Sequence, residues 1–329
     1  MSEAAATLRL QDVVVDYRRK HLSDVRAVAG ASLTVDRGQV HGLVGESGCG
    51  KSTLARAATG LVPISSGSIE FAGEPVTPLK RRARAPHLRR LQMVFQDPNS
   101  SLNPRRSVGA QLEFALRRGA GVPSRERPAR ARELLNTVGL PGDAAKRVPS
   151  EFSGGQRQRI CIARALAANP SVIIADEPIS ALDASAQAQI ANMLVSLARQ
   201  LDLGVLFISH DLAIVRHVAD VVTVMYLGKV VESAPTSRLW ADPLHPYTRA
   251  LIESAPRHDG SGQLPHALKG EIPDPSSPPS GCRFHPRCNF AFAPCPVHEP
   301  MLEQYAQDHR AACWLNEPAP AVESQTPAV

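Results

Sequence analysis

Gly45-Glu46-Ser47-Gly48-Cys49-Gly50-Lys51-Ser52, with Thr53 following, places three glycines, a lysine and a hydroxyl at the spacing G-x-x-x-x-G-K-[ST]. The chemistry of that spacing is anion capture. Glycines let a loop curl so that successive N–H groups aim inward, and the helix that follows adds its positive end. Lys51 supplies a mobile charge for β- and γ-phosphates, and the Ser52 hydroxyl can ligate Mg²⁺. A glycine-rich turn with a solvated lysine would look similar. The flanks argue against it: Gln39-Val40-His41-Gly42-Leu43-Val44 reads as an apolar strand and Thr53 to Leu61 as a helix ending near Gly60.

Two acids and a histidine stand at the ends of other apolar runs. Val172-Ile173-Ile174-Ala175 leads into Asp176-Glu177, and Val205-Leu206-Phe207-Ile208-Ser209 leads into His210. Runs that apolar belong inside a sheet covered on both faces, so their ends meet the phosphate loop at one sheet edge. Asp176 is then placed to hold Mg²⁺. Glu177, one residue on, points differently, toward an attacking water, as a general base. Leu91 to Gln96 is a further apolar strand, ending in Gln96.

The positioning elements follow from the pattern. Leu8 to Tyr17 and Ala31 to Val35 alternate as strands, and Ser65 to Gly73 reads as a turn and an antiparallel strand. Val108 to about Leu140 is helical with a break at Gly119 to Pro123. A helix runs through Ile160 to Leu166 and stops before Asn169-Pro170. Val221 to Met225 and Lys229 to Glu232 read as a hairpin around Leu227-Gly228. Strands alternating with helices imply an α/β fold with a largely parallel sheet.

The 329 residues are 43% hydrophobic, enough for a proper core, and the net charge is +6. Part of that charge sits in Lys80-Arg81-Arg82-Ala83-Arg84, a run that could face nucleic acid or anionic lipid headgroups but is read rather as a solvated loop; aromatics at 4% argue against stacking platforms for single-stranded nucleic acid. No run of about 18–20 apolar residues is present to span a bilayer. Met1 to Thr7 lacks a signal-type n-region and apolar core, so the chain is expected in the cytoplasm. Cys282, Cys288, Cys295 and Cys313 cluster late, which in a reducing compartment suggests metal rather than disulfides.

With Phe152-Ser153-Gly154-Gly155-Gln156 lying between Lys51 and Asp176-Glu177, the stretch from about Leu8 to Glu232 resembles the nucleotide-binding subunit of an ATP-binding-cassette (ABC) transporter. Phe152 stands where that family usually has leucine, which keeps the apolar anchor. The resemblance implies a P-loop NTPase (RecA-like) core with an antiparallel β subdomain and an α-helical signature subdomain. It implies a nucleotide-binding domain over 1–235 (helical subdomain about 97–165), a linker or post-core segment over 236–281, a cysteine-cluster segment over 282–316 and a disordered tail over 317–329. It implies ATP and Mg²⁺ held by Gly45, Glu46, Ser47, Gly48, Cys49, Gly50, Lys51, Ser52, Thr53 and Asp176. Gln96 is then the glutamine at Mg²⁺ and the lytic water, and His210 the switch histidine at the γ-phosphate. Tyr17 stacks on adenine, and Asp183 lies in the loop crossing between subunits. Ser153, Gly154, Gly155 and Gln156 face the nucleotide of a second ATPase subunit, head to tail, while Asp97 and the 100–104 segment carry movement to two transmembrane permease subunits.

Asp242-Pro243-Leu244-His245-Pro246-Tyr247 and Gln96 to Arg105 resemble the oligopeptide/dipeptide importers, in which two different ATPases pair. Nickel, glutathione and murein-peptide importers share these features. The expectation is a heterodimer on the cytoplasmic face of the inner membrane, served by an extracytoplasmic solute-binding protein and without nucleic acid. The four cysteines resemble that family's [4Fe–4S] ligands; zinc or no metal are the alternatives, with His285, His298 and His309 as substitute ligands or solvated side chains. A soluble cassette ATPase acting on ribosome or DNA, and an ATP-binding protein without turnover, are the competing functions. The single signature argues against the first, and Glu177 with His210 against the second.

Overall fold

The computed structural model describes residues 8–18, 24–79, 84–254 and 270–316. Twelve strands are present among them: β1 (Leu8–Tyr17), β2 (Val25–Val35), β3 (Val40–Val44), β4 (Ser66–Phe71), β5 (Glu74–Pro75), β6 (Leu91–Val94), β7 (Val172–Asp176), β8 (Gly204–Ile208), β9 (Val221–Tyr226), β10 (Lys229–Pro235), β11 (Glu303–Ala306) and β12 (His309–Ala311). The helices are α1 (Lys51–Ala58), α2 (Pro98–Ser101), α3 (Val108–Arg118), α4 (Arg127–Thr137), α5 (Gly154–Leu166), α6 (Ala184–Gln200), α7 (Leu212–Val218), α8 (Thr236–Ala241) and α9 (Pro246–Ser254).

The strands form two sheets. One is antiparallel, in the order β2-β1-β4-β5; the other has eight strands in the order β11-β12-β10-β9-β3-β8-β7-β6. Strands β6, β7, β8, β3 and β9 of the large sheet are parallel. Their carboxyl ends therefore share one edge, where open α/β sheets bind ligands. Every residue of β3, β7 and β8 is buried. Alternation splits each strand between two cores. Ile173, Ala175, Val205 and Phe207 face the layer of α3 to α6, whereas Val172, Ile174, Leu206 and Ile208 face α1 and the antiparallel sheet. Each fully buried large side chain of this kind contributes about 1.5–3 kcal/mol.

The hairpin of β9 and β10 turns at Leu227 (φ 42°) and Gly228 (φ 81°), the two left-handed residues of a type I′ connection. Immediately beyond β10, residues 236–254 stay with the body. Helices α8 and α9 pack back, with Leu239, Tyr247 and Leu251 in the core. The cysteine segment then extends the sheet: β12 pairs antiparallel with β10, and β11 with β12. Most of the basic run (80–83), the Pro/Ser-rich stretch 255–269 and the tail 317–329 lie outside the described residues. Arg84, the last of that run, is not simply solvated: its Nη2 donates to Thr59 O at 2.9 Å, the carbonyl at the negative end of α1.

Candidate nucleotide site

The glycine loop connects β3 to α1, and Lys51 opens the helix itself. Gly45 (φ 149°) and Gly50 (φ 106°) cannot be replaced without collision. A Cβ on the first would sit 2.1 Å from Met225 O and on the second 2.3 Å from Ala27 O. The loop is thus pressed against the β9–β10 turn and β2. Lys51 is 4% exposed and its Nζ donates to Gly45 O (2.6 Å) and Glu46 O (3.0 Å). The Ser52 hydroxyl donates to Asp176 Oδ1 at 2.8 Å, so the hydroxyl and carboxylate expected at one cation are brought together. Burial pushes the Asp176 carboxyl up from its usual range, against the Ser52 hydrogen bond and the charge of Arg56. A buried carboxylate in that state beside a hydroxyl is a donor set suited to a hard divalent cation.

Glu177 has a left-handed backbone (φ 45°), unusual for this residue type, and its N–H donates to Ile208 O at 3.0 Å. That twist swings its side chain away from Asp176. Gln96 Nε2 donates to Glu177 Oε2 at 3.0 Å, and His210 Nδ1 lies 3.5 Å from Glu177 Oε1. Residues from the ends of β6, β7 and β8 thus converge on one carboxylate. Tyr17, at the end of β1 and 37% exposed, places its Oη 3.5 Å from Thr53 Oγ1.

Two loop residues face away from this edge. The Glu46 carboxylate is taken by Arg287, and Cys49 is buried in the core behind the loop, where burial raises its thiol pKa. Their side chains therefore do not line the phosphate side of the loop.

The signature segment lies elsewhere. Ser153 caps α5: its hydroxyl accepts from Gln156 N (3.3 Å) while Gln156 Oε1 accepts from Ser153 N (3.0 Å). A cavity lined by Ser153, Gly154, Gly155, Gln156, Leu182 and Asp183 opens there, and no residue of the glycine loop lines it. Asp183 caps α6, accepting from Ala186 N at 2.9 Å. Arg157 of α5 donates to Asn99, and Arg164 to Ser101 O, which ties the signature helix to the 97–104 segment.

All six cysteines are free thiols. Burial raises the pKa of Cys282 to about 11 and of Cys313 to about 12, and that of Cys288 as well. Cys313 is near enough to Cys282, Cys288 and Cys295 for each to oppose its ionisation. Among the described residues, however, no set of three or more His, Cys, Asp or Glu side chains is arranged to hold a metal ion. His309 is neither a ligand nor solvated: it is 2% exposed and lies 2.8 Å from Glu232 Oε1.

Sequence reasoning missed Arg287 and Tyr247, which touch the loop at Glu46 from residues 241 and 201 positions away. No local pattern signals either.

Comparison with known proteins agrees with this geometry. The family described as "ABC transporter" matches residues 28–180, and "Oligopeptide/dipeptide transporter, C-terminal region" matches residues 231–295. The probable peptide ABC transporter ATP-binding protein y4tS of Sinorhizobium fredii is 48% identical over 298 residues, covering 90% of this chain and 84% of that one. The oligopeptide transport ATP-binding protein AppF of Bacillus subtilis is 46% identical over 303 residues, covering 91% and 92%. A dimeric structure of the ATP-binding cassette MJ0796, in a post-hydrolysis state bound to ADP and Pi, superposes with a TM-score of 0.61 at 28% identity, over 70% of this chain and 98% of that one.

Proposed function

The chain belongs to the ATP-binding subunits of ABC transporters, and from that premise we propose that it drives import of oligopeptides or dipeptides by hydrolysing ATP. The observation that carries the reading is the junction of Ser52 with Asp176 beside the cluster of Gln96, Glu177 and His210. Lys51 and the loop amides hold the β- and γ-phosphates, which take the place of the Gly45 and Glu46 carbonyls at Lys51 Nζ. Ser52, Asp176 and Gln96 would hold Mg²⁺, which would neutralise charge on the phosphoryl oxygens. Glu177 accepts a proton from the attacking water, and His210 fixes the γ-phosphate. Tyr17 supports the adenine.

Phosphoryl transfer needs positioning and charge stabilisation more than covalent chemistry. Donors must therefore surround the γ-phosphate on both sides. Ser153, Gly154, Gly155 and Gln156 are on the wrong side of their own chain for that. We assign them to the nucleotide of a second ATPase subunit, head to tail, with Asp183 crossing between the two. Closure around ATP would move α5, and through Arg157 and Arg164 the 97–104 segment, against two permease subunits.

No helix among the described residues is long and apolar enough to cross a membrane, so attachment to the cytoplasmic face falls to those permeases. A different ATPase subunit as the pairing partner and an extracytoplasmic binding protein complete the proposed complex. Cys282, Cys288, Cys295 and Cys313 as they stand do not form a ligand set for a [4Fe–4S] cluster, and the proposed ATPase cycle assigns them no role.

The test is reconstitution in proteoliposomes with the two permeases and second ATPase of the same operon. A peptide-loaded binding protein is expected to raise ATP hydrolysis several-fold over the unloaded one. Stimulation by nickel or glutathione instead of peptide would reassign the cargo; hydrolysis indifferent to any permease would end the transport reading.

A further inference from the structure

The glycine loop is held from below by residues the sequence places far from it. Tyr247 Oη accepts from the backbone N–H of Glu46 at 2.9 Å. Both terminal guanidinium nitrogens of Arg287 donate to the Glu46 carboxylate, Nη1 at 2.7 Å and Nη2 at 3.0 Å. The Arg287 side chain is 4% exposed and that of Glu46 19%. A fork of this kind fixes the carboxylate's plane as well as its position. The carbonyl of the same Glu46 accepts from Lys51 Nζ at 3.0 Å. One residue thus links the extension to the phosphate-binding lysine.

The support beneath is stiff. Tyr226, Tyr247 and Phe284 pack ring against ring at centroid distances of 4.7–5.3 Å. Arg287 Nη1 also lies 3.4 Å from Tyr226 Oη. The extension does not depend on the Glu46 contact for its own attachment. Strand β12 pairs with β10, and Glu232 accepts from His309 (2.8 Å), Leu244 N (2.8 Å) and His245 N (2.9 Å). The ion pair with Arg287 is spent on the loop.

We propose that Arg287 and Tyr247 are positioning residues for nucleotide binding: they preset the curvature of the phosphate loop through Glu46, which makes the C-terminal extension a working part of the ATP site. The inference rests on the reading of residues 45–53 as the ATP phosphate site. Removing the fork leaves Glu46 with an unmatched, partly buried charge and frees its carbonyl to drift with Lys51.

The experiment is a titration of the full-length chain with a fluorescent ATP analogue and Mg²⁺, paired with steady-state hydrolysis and thermal unfolding. Arg287→Ala is expected to weaken binding roughly 10- to 100-fold, the scale on which misplaced positioning groups act. The loss should appear as a raised KM for ATP with kcat far less changed. Arg287→Lys keeps the charge without the fork and should fall between. Glu46→Arg combined with Arg287→Glu should recover much of the loss, and Tyr247→Phe should weaken binding by a smaller factor. The unfolding midpoint without nucleotide should fall, because Glu46 loses its partner, and beyond that fall the rise on adding nucleotide should shrink, which a merely structural contact would not cause. Should Arg287→Ala fail to fold, Glu46→Gln carries the same expectation with Arg287 in place. If the wild type binds the analogue and the folded variants bind it within about twofold of wild type, the proposal is wrong. If the wild type itself does not bind, the reading of the loop as an ATP site falls, and the inference with it.

Discussion

The phosphate-loop half and the signature half of this chain use the same kinds of groups, glycines and hydroxyls at helix N-termini, yet they are finished to different degrees. In the first, Ser52, Asp176, Gln96, Glu177 and His210 meet one another from four strand ends at 2.8–3.5 Å. In the second, the side chains of Ser153 and Gln156 cap each other's backbone N–H, and their cavity is shared with Asp183 and Leu182 rather than with Lys51. One half is assembled by the fold. The other has its local structure complete and its counterpart missing. The contrast teaches that the phosphate-loop side is assembled by the fold of one chain, whereas the signature segment is complete only locally, which is the division that the proposed head-to-tail pair would join.

The difference can be broken or sharpened by experiment. The largest effect should come from Glu177→Gln. Losing the base should lower hydrolysis by roughly 10²–10⁴-fold in the assembled transporter, while ATP binding persists and ATP-dependent pairing, read by light scattering, is prolonged. Unchanged turnover would remove Glu177 from its role.

Ser153→Ala addresses the other half. Loss of a donor aimed at developing charge should lower turnover roughly 10²-fold, with the lone subunit's ATP affinity unchanged. Mixed dimers sharpen this: the defect should follow the site opposite the mutated chain. If affinity of the isolated subunit falls as well, the two halves act on one nucleotide in cis.

Acid should separate the halves more gently. Burial lowers the pKa of His41, on β3, to about 4 and that of His245, beneath the loop, to about 3. Both are neutral when folded and take a proton on unfolding once the pH falls below about 6.5, so stability is full above that value. It is lost between there and the folded pKa, at up to about 1.4 kcal/mol per pH unit for each histidine. The unfolding midpoint should therefore drop from pH 7 to pH 5, and hydrogen exchange should rise on the phosphate-loop side.

The smallest effect is expected from Asp176→Asn without nucleotide. Burial penalises the Asp176 carboxylate at neutral pH, because its folded pKa is above its unfolded one. The unfolding midpoint should then stay level or rise slightly, while dependence of hydrolysis on Mg²⁺ is lost. A marked fall would mean that the Ser52 contact outweighs the burial cost.

Much of the first half was legible before any coordinates. The glycine loop, Asp176-Glu177 and His210 each adjoin an apolar strand, and burial on both faces with parallel pairing leaves those ends no place but one edge. The helix through Ile160 to Leu166 was legible as well, whereas the capping box that starts it at Ser153 was recognised only in the fold. The extension was not. Residues 282–316 read as a cysteine cluster after a linker, whereas they add β11 and β12 to the central sheet and send Arg287 to the loop. Short strands with few apolar residues give no periodic signal, and an ion pair across 241 residues leaves no local trace. Arg84 was read with its basic neighbours, yet it folds onto the end of α1.

The sequence by itself determined what short-range forces decide: where glycine permits a loop, where a side chain caps a helix, which faces of a strand seek cover, and which residues could handle phosphate. Tertiary structure alone decided which strand ends are neighbours, that the Glu46 carboxylate pairs with Arg287, and that Ser153 shares its cavity with Asp183 and Leu182 rather than with Lys51. Those outcomes depend on burial and charge pairing between segments distant along the chain, where free energy is set by packing in three dimensions and not by residue order.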